Sequence, residues 1–145
     1  MSDQLIDSMK QVLADTYALM GQAHICHWNV RGPAFFSLHT ASETQYNELF
    51  LATDEIAERI RAKGSLAPGG LSTFAKLSGI SEISEDVSAE QMVRHLLDAN
   101  RKTLGDLEVA RESAAASGDS QTEDLMIERL QVHQKTAWML ASFLG

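Results

Sequence analysis

Two helix-length amphipathic stretches meet at Val30-Arg31-Gly32-Pro33, and this junction limits what the chain can fold into more than any other feature. On the first stretch Ile6, Met9, Leu13, Tyr17, Met20, His24 and His27 recur every three or four residues, the period of one face of an α-helix. Pro33 cannot continue the helical ladder and Gly32 can take the left-handed cap, so this helix should end near Val30. A second helix is expected from about Phe36 to Lys63, closed by Gly64, with Leu38, Leu49, Ile56 and Ile60 carrying its repeat.

The segment SLAPGGLSTFAKLSGI is punctuated by Pro68, Gly69 and Gly70, and its STFAKL stretch has room for about two turns of helix. Ser88 with Gln91, and Ser120 with Glu123, each have the spacing of a capping box. They open a third long helix running to about Ala116, stopped by Gly118, and a fourth running to Leu144. Gly105 inside the third weakens it relative to alanine, which suggests a close helix approach there. A chain of 145 residues that is 44% hydrophobic is one domain, residues 1–145. Four such helices argue for an all-α four-helix bundle, with the long link after the second helix as a crossover carrying a short extra helix.

The formal charge of −8, with basic residues scattered apart from the RIRAK run, argues against a phosphate backbone as partner and favours cations wherever carboxylates converge. Cys26 has no second cysteine to pair with and reads as a small buried apolar residue. MSDQLIDSMK has no basic n-region and no apolar run reaches membrane-spanning length, so the chain is expected to be soluble and intracellular.

Chemistry concentrates on the second helix. Glu43 follows His39 by four residues and Glu58 follows Asp54 by four, so each pair shares a helix face. From Glu43 to Asp54 is close to three whole turns, which sets all four side chains within an arc of about 100°. Along the axis, however, the two pairs lie about 16 Å apart, too far to bind one ion. No Glu-x-x-His motif exists to complete a site inside one bundle. A two-fold axis between Glu48 and Leu49 resolves this, because antiparallel copies of the helix would then set Asp54 and Glu58 of one chain against His39 and Glu43 of the other. His27 could join across the Gly-Pro turn. Two imidazoles with three carboxylates suit iron, manganese or zinc, and zinc should compete with ferrous iron.

His27-Trp28, His39, Glu43, Asp54 and Glu58, with the stretches HWNVRGP, DEIAERIRAKG and KTAWML, closely resemble the Dps family of mini-ferritins over nearly the whole chain. The resemblance implies a ferritin-like bundle assembled into a hollow dodecameric cage in the bacterial cytoplasm or nucleoid. It implies a ferroxidase that oxidises Fe(II), preferably with hydrogen peroxide, at intersubunit sites and stores the ferric mineral, suppressing radical formation near DNA. The most familiar members carry aspartate where this chain has Glu43, which lengthens the reach by one methylene. DNA-binding members carry a lysine-rich tail, whereas this chain begins MSDQ and ends Leu144-Gly145, so direct DNA binding is not expected. Acidic residues line the family's three-fold pores, and Asp119, Asp124 and Glu128 stand at matching places. Their plain alternative is as carboxylates near a helix N-terminus, favoured by its dipole.

Among the remaining candidates, His24 is read as support behind His27 rather than as a ligand. Trp28 is read as packing that could also trap a radical, and Trp138 as core packing. His133 is assigned to packing or a buried hydrogen bond and His95 to the surface of the third helix. Two other functional classes compete with the ferroxidase: a nucleoid-compacting DNA-binding protein with incidental metal binding, and a helical interaction module whose histidines merely pack.

Overall fold

Helix ends in this chain fall where glycine or a polar cap permits them. Gly32, Gly64 and Gly118, all with positive φ, follow the three long helices that do not end the chain. The computed structural model describes residues 3–145, so Met1 and Ser2 of the MSDQ start lie outside the described residues. Its helices are α1 (Asp3–Asn29), α2 (Phe35–Ala62), α3 (Leu71–Leu77), α4 (Ala89–Ala116) and α5 (Ser120–Leu144). The Ser88–Gln91 capping box opens α4, with both of its hydrogen bonds formed.

Side-chain bonds between helices set the topology. His27 meets His39 across the turn, so α1 and α2 run antiparallel. The link after α3 then climbs back along α1, tied to it at Asp15 by Gly79 and at Gln22 by Ile83. It thus delivers α4 to the C-terminal end of α1, where His95 bonds Gln22. The pairs His133–Asn100 and Arg111–Glu123 run α5 antiparallel to α4, and Arg129–Glu48 and Arg59–Thr122 run it antiparallel to α2. The result is an all-α ferritin-like four-helix bundle with a crossover that carries α3, in which each long helix is antiparallel to its neighbours.

The core has two apolar halves. One gathers Leu5, Met9, Leu13, Ile56, Ile60, Leu107 and Met126; the other gathers Leu19, Leu38, Leu49, Met92, Leu96 and Leu140. Between them, at mid-height, lies a buried polar layer of Arg129, His133 and Asn100 with Glu48 at its edge. On α1 the buried face runs through Leu5, Met9, Val12, Thr16, Leu19, Ala23 and Cys26. The expected stripe through Ile6, Tyr17 and His24 is therefore its half-buried border.

Four sequence-based expectations are corrected. The N-cap of α5 is Asp119 rather than Ser120, because the Asp119 carboxylate accepts from the Thr122 amide (3.1 Å) and hydroxyl (2.6 Å) and is held from α2 by Lys63 (2.6 Å). Gly105 is exposed and a side chain there would meet nothing, so no helix approaches it closely. Trp138 is 65% exposed in the single chain, not part of its core. His95 is half-buried rather than on the surface, bonded to Gln22 at 2.8 Å with burial lowering its pKa.

Burial alone would raise the pKa of Asp119, but Lys63 and Thr122 outweigh it and hold the carboxyl at about 2. Its contribution is present above the ordinary carboxylate value and is lost as pH falls toward about 2. Asp119→Ala should cost about 2 kcal/mol, the upper end for a cap, and remove that part of the acid sensitivity. Asp119→Asn, which keeps the cap, should cost less. Urea unfolding of both variants checks this, and equal losses would show that the cap hydrogen bond is not what stabilises the start of α5.

Candidate metal centre

The Gly32-Pro33 turn brings the last turn of α1 against the first turns of α2, and there His27, His39 and Glu43 converge. One ligand atom from each lies within 4.8 Å of the others, a span that one ion could bridge. The two imidazoles stack with ring centroids 3.7 Å apart. Each places Nδ1 2.7 Å from the backbone carbonyl of the other residue. A carbonyl can only accept, so both Nδ1 atoms carry a hydrogen, and in the neutral form of each ring it is Nε2 that offers the lone pair. These reciprocal bonds do for each imidazole what an outer-shell partner does for a metal-bound histidine: they fix tautomer and orientation. His27 is buried, His39 half-buried and Glu43 exposed, so the set opens toward the outer face of α2.

Aromatic rings back the cluster. Tyr46 sits edge-on to His27 (5.1 Å) and tilted against His24 (4.4 Å), and His24 stacks nearly parallel on Trp28 (4.9 Å). Burial, then the neighbouring His27, lowers the pKa of His24 and favours its neutral form. His24 thus lies behind the cluster without entering it. Trp28 is 67% exposed in the single chain, with its ring stacked on His24. The sequence reading did not include Tyr46 as part of this wall; its position seven residues after His39 was the available signal.

Asp54 and Glu58 are exposed on α2 and stand outside the His27–His39–Glu43 group. Glu58 lines a shallow open cleft between α2 and α5 with Glu55, Arg59, Asp124 and Glu128. The carboxylate of Asp119 is engaged as cap and ion-pair partner, whereas no cation pairs with Asp124 or Glu128 among the described residues. Of the two readings of His133, the structure has the buried hydrogen bond, to Asn100, and Cys26 is buried and free. No helix among the described residues is long and apolar enough to cross a membrane.

The architecture and the histidine–carboxylate cluster define the class first. The ferritin-like domain family matches residues 6–145. Over its whole length the chain is 35% identical to DNA protection during starvation protein 2 of Bacillus anthracis, of which it covers 99%. The crystal structure of Dps from Staphylococcus aureus is 36% identical with a TM-score of 0.94, over 97% of this chain and 95% of that one. Dps from Listeria innocua soaked with zinc is 26% identical with a TM-score of 0.93, over 97% and 96%. The chain belongs to the Dps family of ferritin-like proteins.

Proposed function

We propose that the protein is an iron-detoxifying and iron-storing mini-ferritin: a ferroxidase that oxidises Fe(II), preferentially with hydrogen peroxide, at sites shared between two copies. The observation that carries this reading is the His27–His39–Glu43 cluster, held in ligand-ready tautomers. It is half of a site. Asp54 and Glu58 lie about three turns further along the same α2 face. A two-fold axis near Glu48 and Leu49 would bring the second copy's pair onto the cluster. Phe50 and Leu51, 64% and 68% exposed beside that midpoint, are apolar surface that such an interface would cover.

In this reading ferrous iron is the substrate. His27 and His39 supply neutral nitrogen donors, and Glu43, Asp54 and Glu58 supply charge that favours the more highly charged ferric product. Two ferrous ions each give one electron to one hydrogen peroxide, whose O–O bond breaks to leave two hydroxides and two ferric ions. Pairing the electrons avoids the one-electron cleavage that releases hydroxyl radical. The ferric product is stored inside a closed homo-oligomer, the dodecamer that the family resemblance implies. Of the pore candidates Asp119, Asp124 and Glu128, the first is engaged as a cap, and Asp124 and Glu128 provide the negative route for incoming iron. The relative's name refers to DNA protection. With a net charge of −8, such protection here would act through iron and oxidant rather than through contact with DNA.

Anaerobic protein given Fe(II) and peroxide should develop ferric absorbance, consume two irons per peroxide and give no hydroxyl-radical spin adduct. Zinc should slow the reaction by occupying the same ligands. One iron consumed per peroxide, with a radical adduct, would overturn the proposal. A gel shift of duplex DNA at moderate salt would instead favour the nucleoid-compacting alternative.

A further inference from the structure

A second pair of acids sits far from the metal centre, where α1, α4 and the crossover link meet. Asp15 on α1 is fully buried. Its Oδ1 accepts from the Gly79 amide (2.9 Å), the Ser78 hydroxyl (3.3 Å) and the Gln11 side-chain nitrogen (3.1 Å). Gln11 also donates to the carbonyl of Leu77 (2.8 Å), so residues 77–79 are anchored to one short stretch of α1. Asp15 Oδ2 has no donor among the described residues. Asp106 on α4 is the neighbouring acid: Lys102 donates to it from one turn earlier, and the end of that lysine lies against Gly79, whose amide Asp15 holds. Gly79 leaves room for the Lys102 stem, because a Cβ there would collide with it.

A buried carboxylate oxygen without a donor, with a second acid as its neighbour, is the arrangement that a carboxyl proton satisfies, since two adjacent carboxylates cannot both ionise cheaply. The proton would sit on Asp15 Oδ2 and donate to Asp106. Around the pair, α1 contributes the Gln11 amide, α4 contributes Lys102, and the link contributes the Ser78 hydroxyl and the Gly79 amide. We infer that Asp15 and Asp106 share one proton and form a latch that pins residues 77–79 of the crossover to α1, and that losing the proton releases the link.

Burial, then the contact with Asp106, raises the pKa of Asp15 to about 7. Burial also pushes Asp106 upward, but the hydrogen bonds from Asp15 and Lys102 outweigh it and hold Asp106 below its ordinary value. Asp15 therefore has a folded-state pKa above its unfolded one. Its stabilising effect is complete below the ordinary value of 3.8 and is lost as pH rises through about 7. The latch is closed in mild acid and open in mild base. It also governs the seat of α3, whose Phe74 stacks on Tyr17 at 4.6 Å just before the anchored residues.

Infrared titration of the native assembly, following the C=O stretch of protonated carboxyl groups, tests this alongside amide hydrogen exchange corrected for the intrinsic rate. One carboxyl should lose its proton with a midpoint near 7, and protection of the Gly79 amide should fall several-fold over the same range. Asp15→Asn, whose amide can donate to Asp106 at any pH, should abolish the infrared step and flatten the exchange profile. Lys102→Met should move the midpoint upward, because it removes the cation that favours the ionised pair. The latch is refuted if no carboxyl titrates near neutrality or if link protection in Asp15→Asn follows the wild type. Should Asp15→Asn fail to fold, an unmoved midpoint in Lys102→Met refutes it alone.

Discussion

Co-expressing His27→Ala and Asp54→Ala subunits in equal amounts should restore about a quarter of the wild-type ferroxidase rate, although each variant alone is nearly inactive. Disturbing the outer-shell partner of a metal ligand costs 10–100-fold in affinity or activity, so removing a ligand itself should cost at least ~10²-fold. In the proposed dimer, each site takes His27, His39 and Glu43 from one chain and Asp54 and Glu58 from its partner. A mixed dimer therefore has one site with both lesions and one with neither. Random pairing makes half of the dimers mixed, and half of their sites are intact. A site contained within one chain would show no restoration at any mixing ratio, and full activity in either single variant would remove that residue from the site.

The parts of this molecule legible in the sequence are those set within a few residues. The turn at Gly32-Pro33, the close of α2 at Gly64 and the Ser88–Gln91 box depend on local backbone chemistry, and the structure has each where local reading puts it. The start of α5 differs by one residue because Asp119 and Ser120 are both good caps by local chemistry; Asp119 bonds Thr122 three residues on, and Lys63 and Arg59, distant in sequence, add ion pairs that only the fold reveals. His95 was misjudged because its partner, Gln22, lies on another helix. The proximity of His27, His39 and Glu43 was readable because one short turn separates the helices that bear them. What no periodicity could give was the reciprocal bonding of the two histidines to each other's carbonyls, which depends on how closely α1 and α2 pack. The large exposed side chains Phe36, Phe50, Leu51 and Trp138 show the same limit from outside, since a single chain leaves apolar surface whose cover the bundle itself does not supply.

Glu48→Leu should be among the most destabilising single changes, because Glu48 neutralises a guanidinium that the bundle buries almost completely. Arg129 is 4% exposed and both of its terminal nitrogens reach the Glu48 carboxylate, Nη2 to Oε1 at 2.9 Å. Nη2 also donates to His133 Nε2 (3.0 Å), while His133 Nδ1 donates to Asn100 Oδ1 (3.0 Å). The imidazole must therefore be neutral, and burial, with the charge of Arg129, lowers its pKa to about 3. Without Glu48 the buried cation keeps only that neutral imidazole. Breaking a buried pair costs about 3–5 kcal/mol, and the partial exposure of Glu48 sets the expectation near the lower end. Glu48→Leu with Arg129→Met should recover most of the loss, because no charge is then left unpaired. Denaturant unfolding at fixed protomer concentration measures both, and a change within about 0.5 kcal/mol for Glu48→Leu would show that the pair does not hold α2 to α5. Neutral His133 contributes stability above its ordinary value of 6.5, lost as pH falls toward about 3. The double variant removes one of the two causes of that shift, so its stability should also fall less steeply with acid. It leaves all five proposed iron ligands intact, so its ferroxidase rate should stay near wild type, which separates the stability of the bundle from the chemistry on its outer face.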